Sequence, residues 1–232
     1  MLTLFLILLP LLGTSLGAGA VFLGPKVPAR PLSLNGFAAG VMTAASVWSL
    51  LIPAIEQSRH LGVFAFFPAF AGLWLGVLFL RSTERLFHGE GKSMLTFAVA
   101  LHNLPVGMAV GAALTAGHLG DLAWTGCAAL ALGIAIQNIP EGAIISMPLA
   151  SRGASRRKSL GAGVLSGIIE PVGSILTMLL AELVLPILPW LLSFSAGAML
   201  YVVVSELITD RRCALWFTAG FSLMMLLDVA LG

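Results

Sequence analysis

Charged side chains are scarce in this chain. They make up 9% of its 232 residues against 59% hydrophobic, with a mean hydropathy of +1.03. Too few charges remain to solvate a globule, so a soluble class is excluded and an integral membrane protein is left. Cysteine is nearly absent. Cys127 and Cys213 lie inside or at the edge of apolar runs and far apart, which argues for two reduced core thiols and against a disulfide framework or a thiolate metal site. No Lys or Arg precedes Lys26, although Ala18-Gly19-Ala20 has the small-residue spacing of a cleavage site. A secretory leader needs positive charge ahead of its apolar core, so the first run is expected to remain a transmembrane helix. No connector is long enough for a soluble domain, which predicts a single transmembrane domain over residues 1–232. There is no nucleotide-binding motif, no His-Glu-x-x-His pair and no nucleophile paired with a base, so a membrane-embedded metalloenzyme has little support.

What is present is a series of apolar runs, each long enough for the roughly 20 residues a bilayer crossing takes. Clusters of charge, Pro and Gly divide the chain into spans at Leu2–Leu23, Leu34–Ile55, Gly62–Leu80, Ser93–Ala116, Leu122–Ala150, Ser159–Leu185, Trp190–Ile208 and Cys213–Leu231. Every Lys and Arg falls between these spans. Lys26, Arg30, Arg81, Arg85, Lys92, Arg152, Arg156, Arg157, Lys158, Arg211 and Arg212 share one set of alternate connectors, and only Arg59 lies in the other. Basic residues collect on the cytoplasmic side, which puts both termini outside. The net charge of +2 is then topology signalling and contact with anionic lipid, and no nucleic-acid partner is implied.

The fourth and fifth spans are interrupted by nearly the same polar hexapeptide. One reads His102-Asn103-Leu104-Pro105-Val106-Gly107 and the other Gln137-Asn138-Ile139-Pro140-Glu141-Gly142. An ionisable side chain at bilayer depth costs at least roughly 2.5–3.5 kcal/mol, so it normally faces a bundle interior or a hydrated path and handles an ion or substrate. Pro105 releases the carbonyl of Leu101 and Pro140 that of Ile136, so each helix is expected to kink. Freed backbone at this depth is tolerated around the midplane sites of transporters. Residues 102 and 106 share a helix face, as do Gln137 and Glu141; Asn103 and Asn138 lie about 100° further round. Two such helices facing each other would converge an imidazole, amides and a carboxylate. That set suits a divalent ion such as zinc, iron(II), manganese or cadmium, held weakly enough to be released.

With these motifs the chain resembles the ZIP family of divalent metal transporters, close to its bacterial ZupT/GufA-like branch. Gly40-Val41-Met42-Thr43-Ala44-Ala45-Ser46 is similar to the family's second helix, Ile169-Glu170-Pro171 to its sixth and Tyr201-Val202-Val203-Val204-Ser205-Glu206 to its seventh. The resemblance implies an all-α integral membrane fold of eight transmembrane helices in a 3+2+3 inverted-repeat bundle, both termini extracytoplasmic, in the inner (plasma) membrane. It also implies one metal position lined by Met42, His102, Gln137 and Glu141, and a neighbouring one lined by Asn103, Asn138, Glu141 and Glu170. The family's bridging carboxylate is replaced here by Val106, so one dominant metal position, weaker binding or altered selectivity is expected. Ser205 stands where an acidic or histidine ligand is common, and Thr209-Asp210 where the family prefers Pro-Glu.

The expected function is transport of a divalent cation, zinc first, into the cytoplasm between helices 4 and 5, with no bound cofactor. A metal-binding, transport-impaired sensor is the alternative. Divalent ions and lipid are the expected partners, and a homodimer is compatible with the chain. Ser46 and Ser49 are expected to bond their own backbone; Asp228 and Glu182 to touch water; His60, His88 and His118 to lie in connectors, His88 near Glu84 and Glu90. Gly36, Gly40, Gly107, Gly142, Gly161, Gly163, Gly167 and Gly173 are expected at close helix contacts.

Overall fold

The computed structural model of the chain describes residues 1–23, 32–87, 94–120, 122–208 and 210–231, with only the backbone of 84–87, 94–101 and 231. Lys26, Arg30, His88, Glu90, Lys92 and Thr209, and the side chains of Glu84 and Arg85, lie outside the described residues. Among the described residues the long helical segments are, in order, α1 Leu2–Phe22, α2 Leu32–Gln57, α3 Phe66–Phe87, α4 Met94–Leu119, α5 Trp124–Ser151, α6 Arg156–Leu179, α7 Ala181–Leu207 and α8 Arg211–Ala230, with a short 3-10 turn Arg59–Phe64 between α2 and α3. Among the described residues, seven segments are long and apolar enough to cross a membrane: α1, α2, the Phe66–Thr83 part of α3, and α5 to α8. α4, 26 residues long, carries the first hexapeptide.

The helices pack in close pairs, α1 with α5, α4 with α6, α2 with α8 and α3 with α7. Further contacts join the first two pairs into a bundle of α1, α4, α5 and α6, and the other two into α2, α3, α7 and α8. The bundles meet where α4 lies on α7 and α5 on α2 and α8. Small residues make the pairing possible. A methyl group on Gly142 would overlap the carbonyl oxygen of Thr14 in α1, and one on Gly107 the carbonyl oxygen of Glu170 in α6. The last residue of each hexapeptide therefore seats its helix on a neighbour. Gly36, Gly40, Gly163, Gly167 and Gly173 are likewise at close contacts, but Gly161 faces open space. Being exposed on α6, it has no neighbour to approach.

Proline does not act uniformly. α4 and α5 run on through Pro105 and Pro140 without a break. α6 instead breaks at Ile168, between Arg156–Gly167 and Ile169–Leu179, where Pro171 offers no N–H to the carbonyl of Gly167. α2 widens into a π-helical turn at Ser46–Leu51 just before Pro53, which makes room for the proline ring. α7 holds a second π-helical turn, Val203–Leu207.

Several boundaries differ from the sequence expectation. The turn between the sixth and seventh spans falls at Leu180, whose backbone (φ −121°, ψ 37°) leaves the helix. Pro186 and Pro189 occupy starting positions of the following turns, where a missing N–H is no loss. Arg156, Arg157 and Lys158 form the first turn of α6 rather than a loop, because the Ser155 hydroxyl accepts from the Lys158 amide at 3.3 Å. His118 belongs to the last turn of α4, edge-on to Trp124. Glu182 is exposed as expected. At the start of α8, the Arg212 guanidinium and amide beside Asp210 hold its carboxyl below the usual range. Cys127 and Cys213 are free and buried.

Candidate metal site

All seven sequence-selected residues are buried: Met42, His102, Asn103, Gln137, Asn138, Glu141 and Glu170. The two hexapeptides face each other. His102 Nε2 on α4 and Glu141 Oε1 on α5 are 2.7 Å apart, each side chain only 2% exposed. Ser195 of α7 donates to the His102 carbonyl at 3.0 Å, which holds α4 against the second bundle at this level.

The two asparagines bridge helices. Asn138 Nδ2 donates to Glu170 Oε1 at 2.6 Å and to the Pro10 carbonyl of α1 at 3.2 Å, linking α5, α6 and α1. Asn103 Nδ2 donates at 3.0 Å to the Ser166 carbonyl, just ahead of the α6 break. Both amides thus hold helices together while turning their oxygens elsewhere. Among the described residues, Asn103 Oδ1, Gln137 Oε1, Asn138 Oδ1 and Glu170 Oε2 are buried without a hydrogen-bond partner. Leaving one such group unpaired costs about 1–3 kcal/mol. These four acceptors lie on α4, α5 and α6, where a cation or a hydrogen-bond donor would satisfy them. Glu170 also lies within electrostatic reach of Glu141, and two buried carboxylates are not both ionised unless a cation stands between them.

No three His, Cys, Asp or Glu side chains among the described residues form a metal-sized cluster. The close titratable contact is the His102–Glu141 pair, and Glu170 accepts from Asn138. Val106, one turn from His102, is 1% exposed and belongs to the hydrophobic core, as does Met42. A cavity of about 630 Å³ between α2, α4, α5 and α7 is lined by Ser49, Glu56 and Gln57 among apolar residues including Ala109, two turns along α4 from His102.

Sequence reasoning missed two contacts. Ser49 donates to Asp228 at 2.9 Å rather than to its own helix, tying α2 to α8. Asp228 is half-buried, and its second oxygen has no partner among the described residues. Ser46 bonds the Met42 carbonyl at 2.8 Å, as expected, and also points at Met199 Sδ at 3.0 Å. Neither distant partner stands in a motif.

A family model described as "ZIP Zinc transporter" matches residues 91–228. The chain belongs to the ZIP family. It is 35% identical to "Zinc transporter GufA" of Myxococcus xanthus across 96% of each chain, and 31% identical to "Zinc transporter ZIP11" of Xenopus tropicalis across 94% of each. "Zinc transporter ZIPB" of Bordetella bronchiseptica is 31% identical over 86% of this chain and 71% of that protein. Those matches bear out the resemblance to the GufA-like branch. ZIP proteins are multi-pass metal transporters of the membrane and not enzymes, which removes the metalloenzyme reading.

Proposed function

We propose that the chain carries divalent cations, zinc first, across the plasma membrane into the cytoplasm, and that the ion binds at mid-membrane between α4 and α5. His102 and Glu141 supply the strong donors, Gln137, Asn103, Asn138 and Glu170 the neutral and acidic oxygens, and Met42 a soft contact. The observation that carries this reading is the buried 2.7 Å contact of His102 with Glu141, on helices that, together with α6, also bear the unpartnered oxygens of Asn103, Gln137, Asn138 and Glu170.

The pair also fixes what entry of an ion must do. Donors at about 2.1 Å from a tetrahedral zinc stand roughly 3.4 Å apart. An ion seated between them therefore opens the pair by roughly 0.7 Å, the difference from 2.7 Å. Counting α4 gives eight spans with both termini outside, the sidedness that the basic connectors favour. The 630 Å³ cavity holding Glu56 then serves as the outer approach. Release inward follows when the α1, α4, α5 and α6 bundle, which holds the oxygen donors, tilts against the other. Val106 adds no oxygen, which favours one dominant ion over two.

Uptake of zinc into proteoliposomes tests the proposal. His102→Ala with Glu141→Ala is expected to reduce it to background, and undiminished flux would overturn the assignment. A transport-silent sensor is the second reading, favoured by Val106; metal binding without flux in the unaltered protein would select it. A homodimer is compatible with either.

A further inference from the structure

The tightest helix contacts all stay within one bundle. A methyl group on Gly13 or Gly142 would strike backbone between α1 and α5, one on Gly107 between α4 and α6, one on Gly40 between α2 and α8, and one on Gly197 between α3 and α7. Among the described residues, no glycine meets backbone across the seam between the two bundles. The hydrogen bonds of Asn103, Asn138, Ser174 and Ser49 likewise join helices of one bundle. Backbone wedged against backbone holds a helix pair in register, whereas side-chain contacts let packed helices slide.

Ser195 departs from this pattern. It lies on α7, in the bundle of α2, α3 and α8, and donates at 3.0 Å to the His102 carbonyl of α4, in the other bundle. Both residues are buried, Ser195 at 0% and His102 at 2% exposure. Two residues earlier on the same helix, Ser193 bonds the Pro189 carbonyl of α7 itself and the Pro68 carbonyl of α3. The carbonyl four residues back is the usual acceptor for a serine inside a helix. For Ser195 that acceptor is Leu191, and its hydroxyl turns to α4 instead.

We infer that Ser195 is a positioning residue of the transport cycle: its hydroxyl latches α4 to α7 in the arrangement seen here and swings back to the Leu191 carbonyl when the bundles move. The latch presupposes the tilting of bundles proposed above and names a contact that sets its equilibrium. With an acceptor in either position, the hydroxyl is never left buried and unpaired, which would be costly, so the latch can release. It grips the main chain of His102 and leaves the imidazole and Glu141 to the ion.

The test uses full-length protein carrying Cys127→Ala and Cys213→Ala, with spin labels at Leu16→Cys on α1 and Leu215→Cys on α8, two exposed positions in different bundles. Double electron–electron resonance in nanodiscs, without metal, gives the populations of the bundle arrangements. Ser195→Ala is expected to lower the present arrangement relative to the others by roughly two- to tenfold. Ser193→Ala, which removes a bond inside one bundle, is expected to leave the populations unchanged. An unaltered distribution in Ser195→Ala, or an equal shift in both variants, overturns the proposal. In proteoliposomes, the maximal rate of zinc uptake should change at least twofold in Ser195→Ala and not in Ser193→Ala; a shifted distribution with unchanged uptake would remove the latch from the cycle. One fixed distance in every variant, with and without zinc, would refute the movement itself. Uptake that survives His102→Ala with Glu141→Ala would sink the ion site and leave the distance result standing.

Discussion

Gly107 on α4 and Gly161 on α6 are both helical glycines, and replacing each by alanine should have opposite effects. A Cβ on Gly107 would stand 2.7 Å from both the carbonyl carbon and Cα of Glu170, and closer still to the oxygen, whereas ordinary contact begins at 3.4 Å. Backbone cannot rotate away as a side chain can. α4 and α6 must therefore separate by at least about 0.7 Å, the difference of those two values. Overpacking of this kind costs about 1–3 kcal/mol, and the upper end applies. In a chain of this size 3 kcal/mol corresponds to a fall in Tm of roughly 6–12 °C. The shift also carries Glu170 away from α4 by more than the ~0.2 Å tolerance of metal-ligand distances, so metal affinity should drop about tenfold or more. Gly161→Ala meets nothing and gains helix propensity of up to about 1 kcal/mol, leaving affinity unchanged. Thermal denaturation in detergent and calorimetric zinc titration of the two variants are the assays. A Gly107→Ala protein that melts and binds like the parent would refute the claim that this glycine sets the spacing of the site.

Much of the site was legible because burying a polar group in a bilayer is costly. His102, Glu141 and Glu170 stand out against hydrocarbon, and the repeated Asn-x-Pro-x-Gly pattern points to two helices side by side. What escaped the sequence depends on how helices meet. Met199 and Asp228 look like ordinary residues of apolar spans until their partners Ser46 and Ser49, 153 and 179 residues away in sequence, are seen on α2. Proline acts by context: Pro105 and Pro140 lie inside continuous helices, while the helix of Pro171 breaks at Ile168, next to the Gly167 carbonyl that the proline leaves free. Gly161 shows the same limit, since a small residue permits close packing only where another helix arrives.

Three further outcomes follow. Val106→Glu restores a carboxylate one turn from His102 and should raise zinc affinity measured by calorimetry; an unchanged affinity would mean that position 106 does not face the ion. Lowering pH should reduce flux in proteoliposomes, because ligands must lose protons before they coordinate an ion, so stronger flux at lower pH would contradict the assignment of His102 and Glu141 as the ion's donors. Asn138→Leu removes the donor to both Glu170 and the Pro10 carbonyl. At about 1–3 kcal/mol for each acceptor left unpaired, it should lower thermal stability by roughly 2–6 kcal/mol, and a stability loss near zero would show that the amide bridges nothing of consequence.

Anomalous diffraction from crystals of the full-length protein grown with zinc, collected on both sides of the zinc edge, tests the central claim most directly. A peak between His102 Nε2 and Glu141, with the two atoms spread to roughly 3.4 Å, is the expected result. Zinc bound elsewhere, with that pair still joined at hydrogen-bond distance, would contradict the account.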